Sequence, residues 1–351
     1  MRQRDDQQFS NLLARIRLGF CSKNDLKILQ SRQIEFKSTS APERLKELSQ
    51  FILNHSDDPV CLLPTRKLCR ELNNSILSLL PGETILLKAK DSVESKPKEK
   101  TKALKKLKDQ EEDCSRSGGL EKEISIKLGA RVMLRRNIDV EKGYVNGATG
   151  TVLKVLTAGS NNTPKSLKLQ MKNGILELDP IKCKFEILPG VYIHREQFPI
   201  SLSYGITIHK SQGLSLRCCV VDIGNLIFSK GQSYVALSRV TSLQGLHIIN
   251  IDPSNIQPQM SAIQEYNRLR AKFTPHLKAL KAASNKQKSL PDKTWVIKDS
   301  TLFCEEPDAP QTTRLLPAFT NNDQVSCYAN AVVQSLLSYH DFEEGTIKTS
   351  T

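Results

Sequence analysis

The run Thr207-Ile208-His209-Lys210-Ser211-Gln212-Gly213 gathers two hydroxyls, an imidazole, an ammonium, an amide and a glycine directly after an apolar stretch. Such a set suits an anion, because phosphate oxygens accept from ammonium, hydroxyl and backbone N–H donors, and glycine lets the backbone come close. A second candidate is "GQSYVALSRV", in which Gly231 to Ser233 would open a helix with Tyr234, Val235 and Leu237 facing inward. Arg239 would then project about one turn after Val235. An arginine fixed beside a phosphate site can neutralise charge on a transferring phosphoryl group. Each signal alone also has an ordinary reading: an exposed polar loop, and a surface or salt-bridged arginine. A third candidate is Cys327 in "FTNNDQVSCYANAVVQSLL", at the start of a helical pattern, where a helix N-terminus would lower the thiol pKa. Its ordinary reading is an amphipathic helix with a buried cysteine.

The elements that must hold these groups alternate between helix and strand. Phe9, Leu12, Leu13 and Ile16, then Leu26 and Leu29, recur at helical spacing, with Ser22 and Asn24 as candidate caps of the second helix. "PVCLLPT" reads as a short buried strand ending at a turn. "RKLCRELNNSILSLLPG" reads as a helix with Leu68, Leu72, Ile76 and Leu79 on one face, stopped by Pro81-Gly82. "FPISLSYGITIHKSQG" reads as one buried strand running into the polar loop, its apolar residues Ile200, Leu202, Ile206 and Ile208 spaced by twos. "RCCVVDIGNL" and "GLHIINID" read as further strands, and "SAIQEYNRLRAKF" as an amphipathic helix. Strand, turn, helix is the unit of an α/β sheet, and ligands of such sheets bind at the carboxyl ends of the strands.

Two stretches break the pattern. "KPKEKTKALKKLK" carries seven lysines against one glutamate and is followed by "DQEED", which argues for a mobile, charged linker. From Leu128 to about Leu188 short β segments alternate with glycine, asparagine and proline turns, including Asn146-Gly147, a hairpin signal. A small antiparallel barrel inserted between two halves of an α/β domain fits this best.

Lys and Arg total 51 against 37 Asp and Glu, a surplus of 14 in 351 residues. That surplus favours an anionic partner, most often nucleic acid, over a basic protein with none. Apolar residues are only 38% and aromatics 5%, so real cores broken by solvated linkers are expected. Nine cysteines include no C-x-x-C pair, which supports neither a zinc ribbon nor a redox motif; no metal site is expected, and most cysteines read as small core residues. With no amino-terminal apolar stretch and no membrane-length apolar run, a reducing compartment is expected, the nucleus first and the cytoplasm or mitochondrion as alternatives.

"LLPTRKLCRELN", "LGARVMLRRNIDVEKGYVNGATGTV", "FPISLSYGITIHKSQGLSL" and "GQSYVALSRVTSLQGLHIINID" together resemble the carboxyl half of a Pif-type DNA helicase. That family is related to the RecD helicases and is found both as cellular enzymes and inside Helitron transposons. The resemblance implies an α/β fold, a second RecA-like domain with a mostly parallel sheet and helices on both faces, carrying the inserted β-barrel. It divides the chain into 1–90, the first part of that domain; 91–123, the charged linker; 124–191, the barrel; 192–272, the second part; 273–317, a linker; and 318–351, the tail. It further implies that Thr65 touches the DNA backbone. Thr207, His209, Lys210, Gln212 and Gly213 would couple the DNA track to the nucleotide, and Arg239 would be the arginine finger, supported by Tyr234 and Ser238. The expected partners are single-stranded or forked DNA and a separate amino-terminal RecA-like domain, without a membrane; the implied cofactors are ATP and Mg2+. The family often has Asn where Arg66 stands and Ala where Gly205 stands.

No G-x-x-x-x-G-K-[ST] and no Asp-Glu dipeptide occurs, so the phosphate-cradling loop and the metal-binding carboxylates of the family are missing. The expectation is therefore a truncated helicase that binds DNA without hydrolysing ATP alone. The alternatives are a fragment of an active helicase serving repair, recombination or telomere maintenance, and a non-enzymatic DNA-binding protein. The tail resembles the cysteine box of ubiquitin-specific proteases, which implies Cys327 as nucleophile and Asn322 as oxyanion-hole donor and leaves a deubiquitinase fragment as a further alternative. Gln324, Val325 and Ser326 stand where that box has Gly, Asn and Thr, and only His340 follows as a base, so ubiquitin is not an expected partner.

Overall fold

The computed structural model describes residues 2–94, 102–103, 105–107, 119–158, 163–273, 275–276 and 278–282. Asn322, Cys327 and the rest of the protease-like tail lie outside the described residues. The chain divides into two compact units, one of Met1–Leu72 with the chain from Gly205 onward, the other Asn73–Tyr204.

In the first unit α1 (Gln7–Arg17) forms because Phe9, Leu12, Leu13 and Ile16 fall on one face and are all buried. Asp6 starts it by accepting from the Phe9 N–H at 2.9 Å. α2 (Lys23–Gln30) is capped by Ser22 with Asp25 in a capping box; Asn24 is the second helical residue and does not cap. Arg15 closes on the Asp25 carboxylate in a two-pronged pair, which ties α1 to α2. α3 (Ala41–Asn54), with Pro42 in its first turn, has no counterpart in the sequence-based reading.

The sheet holds β1 (Val60–Leu63), β12 (Gly205–Thr207), β13 (Cys219–Ile223) and β14 (Leu246–Ile251) in the order β12-β1-β13-β14. Every pair is parallel. "VCLL" and "CVVDI" are buried at every position, as strands covered on both faces must be. α4 (Arg66–Leu79) follows β1 as expected, and α5 (Gln232–Leu237) follows β13. α5 packs against β13 and α1, while α2 packs against β14. α6 (Met260–Phe273) buries Ile263. Just past α6, within the expected linker 273–317, Leu280 exchanges two hydrogen bonds with the Asn267 side chain.

Apart from the end of α4 and the helical residues 102–103 and 105–107, the described part of the second unit is β-rich. It contains β2 (Ile85–Lys88), β3 (Lys90–Glu94), β4 (Glu123–Ile126), β5 (Arg131–Leu134), β6 (Thr149–Ala158), β7 (Thr163–Met171), β8 (Gly174–Leu178), β9 (Ile181–Leu188), β10 (Val191–Gln197) and β11 (Ile200–Leu202). The described strands form an open five-stranded sheet β11-β5-β6-β7-β8, a three-stranded sheet β3-β10-β9 and the pair β2-β4. Their pairings do not close into the single barrel expected from the sequence. Leu87, Val132, Val152, Leu169 and Phe198 belong to the main core of this unit.

Three boundaries move. "FPISLSYGITIHKSQG" is not one strand: Ile200–Leu202 pairs antiparallel with β5, whereas Gly205–Thr207 pairs parallel with β1. The spacing by twos crosses the break at Ser203-Tyr204, so alternation persisted while the hydrogen-bonding partner changed. The part expected to be RecA-like therefore resumes at 205 rather than 192, and its first part ends inside α4 rather than at 90. The stretch 91–123 is not wholly linker. β3 pairs with β10 along its length, and Ala103 and Leu107 are buried in a small core with Phe185, Ile187, Val191 and Ile193. Two apolar residues among many lysines sufficed to anchor that run, which composition alone conceals. Asn146-Gly147 makes a turn, with Gly147 at φ +93. It sits inside the longer β5–β6 connection instead of joining two strands directly.

Candidate nucleic-acid interface

β1 and β12 are adjacent, with Leu63 opposite Thr207, so their carboxyl ends present Thr65 and the His209 loop side by side. Thr65 is half-buried and acts as the cap of α4: its Oγ1 accepts from the Leu68 N–H at 3.4 Å. Arg66, Lys67 and Arg70 are exposed on the first turns of that helix. Lys210 is close enough to α4 to oppose the burial that raises the Cys69 thiol to about 12. Cations from two neighbouring strand ends thus collect along one edge.

His209, Lys210 and Ser211 form a single 3-10 turn. Thr207 is nearly buried, and its Oγ1 accepts from the Lys210 N–H at 3.3 Å; the Ser211 hydroxyl donates to the Ile208 carbonyl at 2.7 Å. Both hydroxyls are consumed in shaping the turn, so Thr207 and Ser211 position the loop while His209 and Lys210 point outward. Gln212 is half-buried and follows the turn. Gly213 takes φ +86 with open space for 4 Å around the point where a Cβ would stand, a conformation that a side chain resists through its own backbone. His209 stacks on Phe228, centroids 5.6 Å apart at 27°, and desolvation lowers the imidazole pKa. Phe228 is 66% exposed, and an exposed ring beside cations offers a surface on which a planar group can stack.

Arg239 follows α5 rather than projecting from it, because the helix stops at Leu237 with Ser238 as its cap. Gly231 opens the helix in the left-handed region, φ +78. Val235 and Leu237 face inward as expected, and Tyr234 is half-buried. The Arg239 guanidinium is only 3% exposed. Its Nε donates to the Val235 carbonyl at 2.9 Å and Nη2 to the Ser238 hydroxyl at 2.8 Å, while Nη1 has no hydrogen-bond partner among the described residues. Desolvation pushes its pKa down to about 10. The backbone joins this turn to the loop: the Leu216 N–H donates to the Arg239 carbonyl at 2.9 Å, and the Thr241 N–H donates to the Leu216 carbonyl at 3.0 Å. Among the described residues no hydrogen bond joins Thr65 or Thr207 to Arg239.

Two contributors escaped the sequence reading. Arg2 donates to the Ser215 hydroxyl at 2.7 Å and to the Gly213 carbonyl at 3.3 Å, and its charge adds to the lowering of Arg239. Gln3 donates to the carbonyls of Ser238 and Val240 at 3.3 and 2.6 Å. Neither carries a local signal, since each acts across more than two hundred residues. Phe228 escaped it as well, although "NLIFSKG" shows an aromatic residue in a polar loop.

Residues 115–155 match the family model described as DNA helicase Pif1, 2B domain. The chain is 32% identical to the ATP-dependent DNA helicase PIF1 of Xenopus laevis over 77% of its own length and 37% of that protein. It is 32% identical to the Campylobacter jejuni Pif1 helicase over 71% of this chain and 52% of that one. The chain thus spans little more than a third of the vertebrate relatives it matches. Among solved structures, Pif1 helicase from Candida albicans superposes with a TM-score of 0.59 at 25% identity, covering 78% of this chain and 59% of that one. The Bacteroides Pif1 helicase in complex with ADP-AlF3 and single-stranded DNA shares the fold, with a TM-score of 0.54 at 20% identity, covering 78% of this chain and 56% of that one.

Proposed function

We propose, on the premise that this chain is homologous to the ATP-dependent Pif1 DNA helicases over about 77% of its length, that its first unit is the half of such an enzyme that couples DNA to nucleotide. The observation that carries this reading is the backbone tie between the loop segment and the arginine turn, Leu216 to Arg239. A shift of the His209–Gly213 turn is thereby passed to a buried guanidinium, one nitrogen of which is unbonded among the described residues. His209 and Lys210, with Arg66, Lys67 and Arg70 beside them, meet the phosphates of a single strand, and Phe228 stacks a base. Arg239 reaches phosphate, with Ser238 and Tyr234 holding its turn, and Gln212 and Gly213 relay between the two. Forked DNA is a second substrate of the same kind, unwinding at forked double-stranded DNA being described for two coordinating Pif1 helicases.

ATP and Mg2+ belong to this reading as ligands shared with another domain. Arg239 fits a phosphate, being buried, charged and incompletely bonded. The 351 residues contain no G-x-x-x-x-G-K-[ST] and no Asp-Glu pair, so they offer no primary seat for MgATP. They therefore bind DNA without turning over ATP alone, and an amino-terminal RecA-like domain is the partner that completes the site. DNA as ligand favours the nucleus as the compartment.

The test is fluorescence anisotropy of a labelled oligothymidylate with the whole chain. Binding should weaken with salt, each lost phosphate contact reducing the slope of log K against log salt by about 0.7. Lys210→Ala should lower that slope, and Phe228→Ala should weaken binding without changing it. An affinity unmoved by both substitutions would refute the assignment of this edge.

A further inference from the structure

His55, Cys218 and His247 each offer one ligand atom, and the three atoms lie within 4.8 Å of one another. His55 terminates α3 in an extended conformation, Cys218 directly precedes β13, and His247 lies on the neighbouring strand β14, opposite Val220. All three sit at the amino ends of the strands, whereas Thr65 and His209 stand at carboxyl ends. The two imidazoles meet edge to face at 5.1 Å, and Phe51 packs on both, at 5.4 and 5.2 Å. Among the described residues no side-chain hydrogen bond involves Cys218 Sγ or the His247 ring.

We propose that these three residues form a structural site for a transition-metal dication of the zinc class, with the Asp57 carboxylate or a water as the fourth ligand. One thiolate and two imidazoles are a donor set that zinc and cobalt(II) prefer over magnesium or calcium. A tetrahedral ion with bonds of about 2.0–2.3 Å places its donors roughly 3.3–3.8 Å apart, so the cluster closes by about 1 Å, within the reach of side-chain rotation. Asp57, two residues beyond His55, acts electrostatically on both Cys218 and His247, which puts its charge on the correct side of the cluster. Burial raises the Cys218 thiol to about 11, and Arg32, held by the carbonyls of Leu246 and Gln244, opposes part of that rise.

The balance is simple. A metal–sulfur bond replaces the Cys218 S–H bond and the proton leaves to solvent; two ring lone pairs complete the donation, and no redox change occurs. His55 Nδ1 now accepts from the Asp57 N–H at 3.2 Å. Ligation through Nε2 moves the ring proton to Nδ1 and replaces that weak bond. The ion would join α3 to β13 and β14, three elements brought together only by tertiary structure.

The test uses the whole chain, stripped of metal by chelation and titrated with Co2+. One equivalent should produce tetrahedral d–d absorption together with a thiolate-to-cobalt charge-transfer band, and Zn2+ should abolish both. Cys218→Ser should lose the charge-transfer band, and His55→Ala should weaken binding at least tenfold. Zn2+ should raise the Tm of the wild type and leave that of His55→Ala unchanged. Absence of any band, or one unaltered in both variants, would overturn the proposal. If Cys218→Ser fails to fold, His55→Ala decides alone, because its ring is partly exposed at a helix end.

Discussion

Replacing Arg239 by Met separates a residue held for a ligand from one held for stability. The guanidinium is buried, and desolvation brings its pKa from 12.5 to about 10, which corresponds to about 3 kcal/mol of cost for carrying the charge at neutral pH. Against that stand two charge-assisted hydrogen bonds, to Val235 and Ser238, of about 1.5–3 kcal/mol each. Their loss leaves nothing orphaned, because the Ser238 hydroxyl still donates to the Val235 carbonyl at 3.1 Å. Methionine also buries its chain without a charge. The opposing contributions nearly cancel, so urea unfolding of Arg239→Met should show a change below about 1.5 kcal/mol in either direction. Breaking a fully satisfied buried ion pair would cost about 3–5 kcal/mol. A loss above about 3 kcal/mol would refute the reasoning and make Arg239 a structural residue.

Asp222 is buried, accepts from the Gly224 N–H and the Asn250 amide, and is raised by desolvation from 3.8 to about 6. Its folded form holds the proton more tightly than the unfolded one. Its contribution is therefore most favourable below about pH 4 and is lost as pH rises through 6, amounting to about 3 kcal/mol at pH 7. Asp222→Asn should gain stability relative to wild type between pH 5 and pH 7.5 in urea titrations; an equal difference at both would contradict this. Gly213→Ala should lower stability by about 1 kcal/mol through positive φ alone, a Tm fall of a few degrees, and weaken oligothymidylate binding by more than that fraction unfolds. Asp25→Ala removes the pair with Arg15 and the back-bond to the Ser22 N–H at 3.0 Å, and should cost about 2–3 kcal/mol by chemical denaturation.

What the sequence disclosed follows from range. β1, α4, β13 and β14 were legible because each carries a continuous or periodic apolar signal within a few residues. Ser22 was legible as a cap because capping is local. The split at Ser203-Tyr204 was not, since a strand's alternation is the same whichever sheet receives it. Ala103 and Leu107 were lost in a lysine-rich background, and α3 was passed over although Ser40, Pro42 and Glu43 open it and Leu45, Leu48 and Ile52 recur at helical spacing. Of the candidate site, His209, Lys210 and Arg239 stood out by residue type. That Thr207 and Ser211 spend their hydroxyls on the turn, and that Arg2 and Gln3 lie against the loop and arginine segments, depends on contacts made only after folding. His55, Cys218 and His247 share no spacing motif for the same reason.

The central proposal is that this chain carries the DNA-coupling half of a helicase nucleotide site and that its 351 residues, which contain no G-x-x-x-x-G-K-[ST], do not seat MgATP alone. The most direct measurement is ATP turnover by the purified 351-residue chain, with and without single-stranded DNA. The account predicts DNA binding with no turnover above background. Turnover that DNA stimulates and Arg239→Ala abolishes would contradict it.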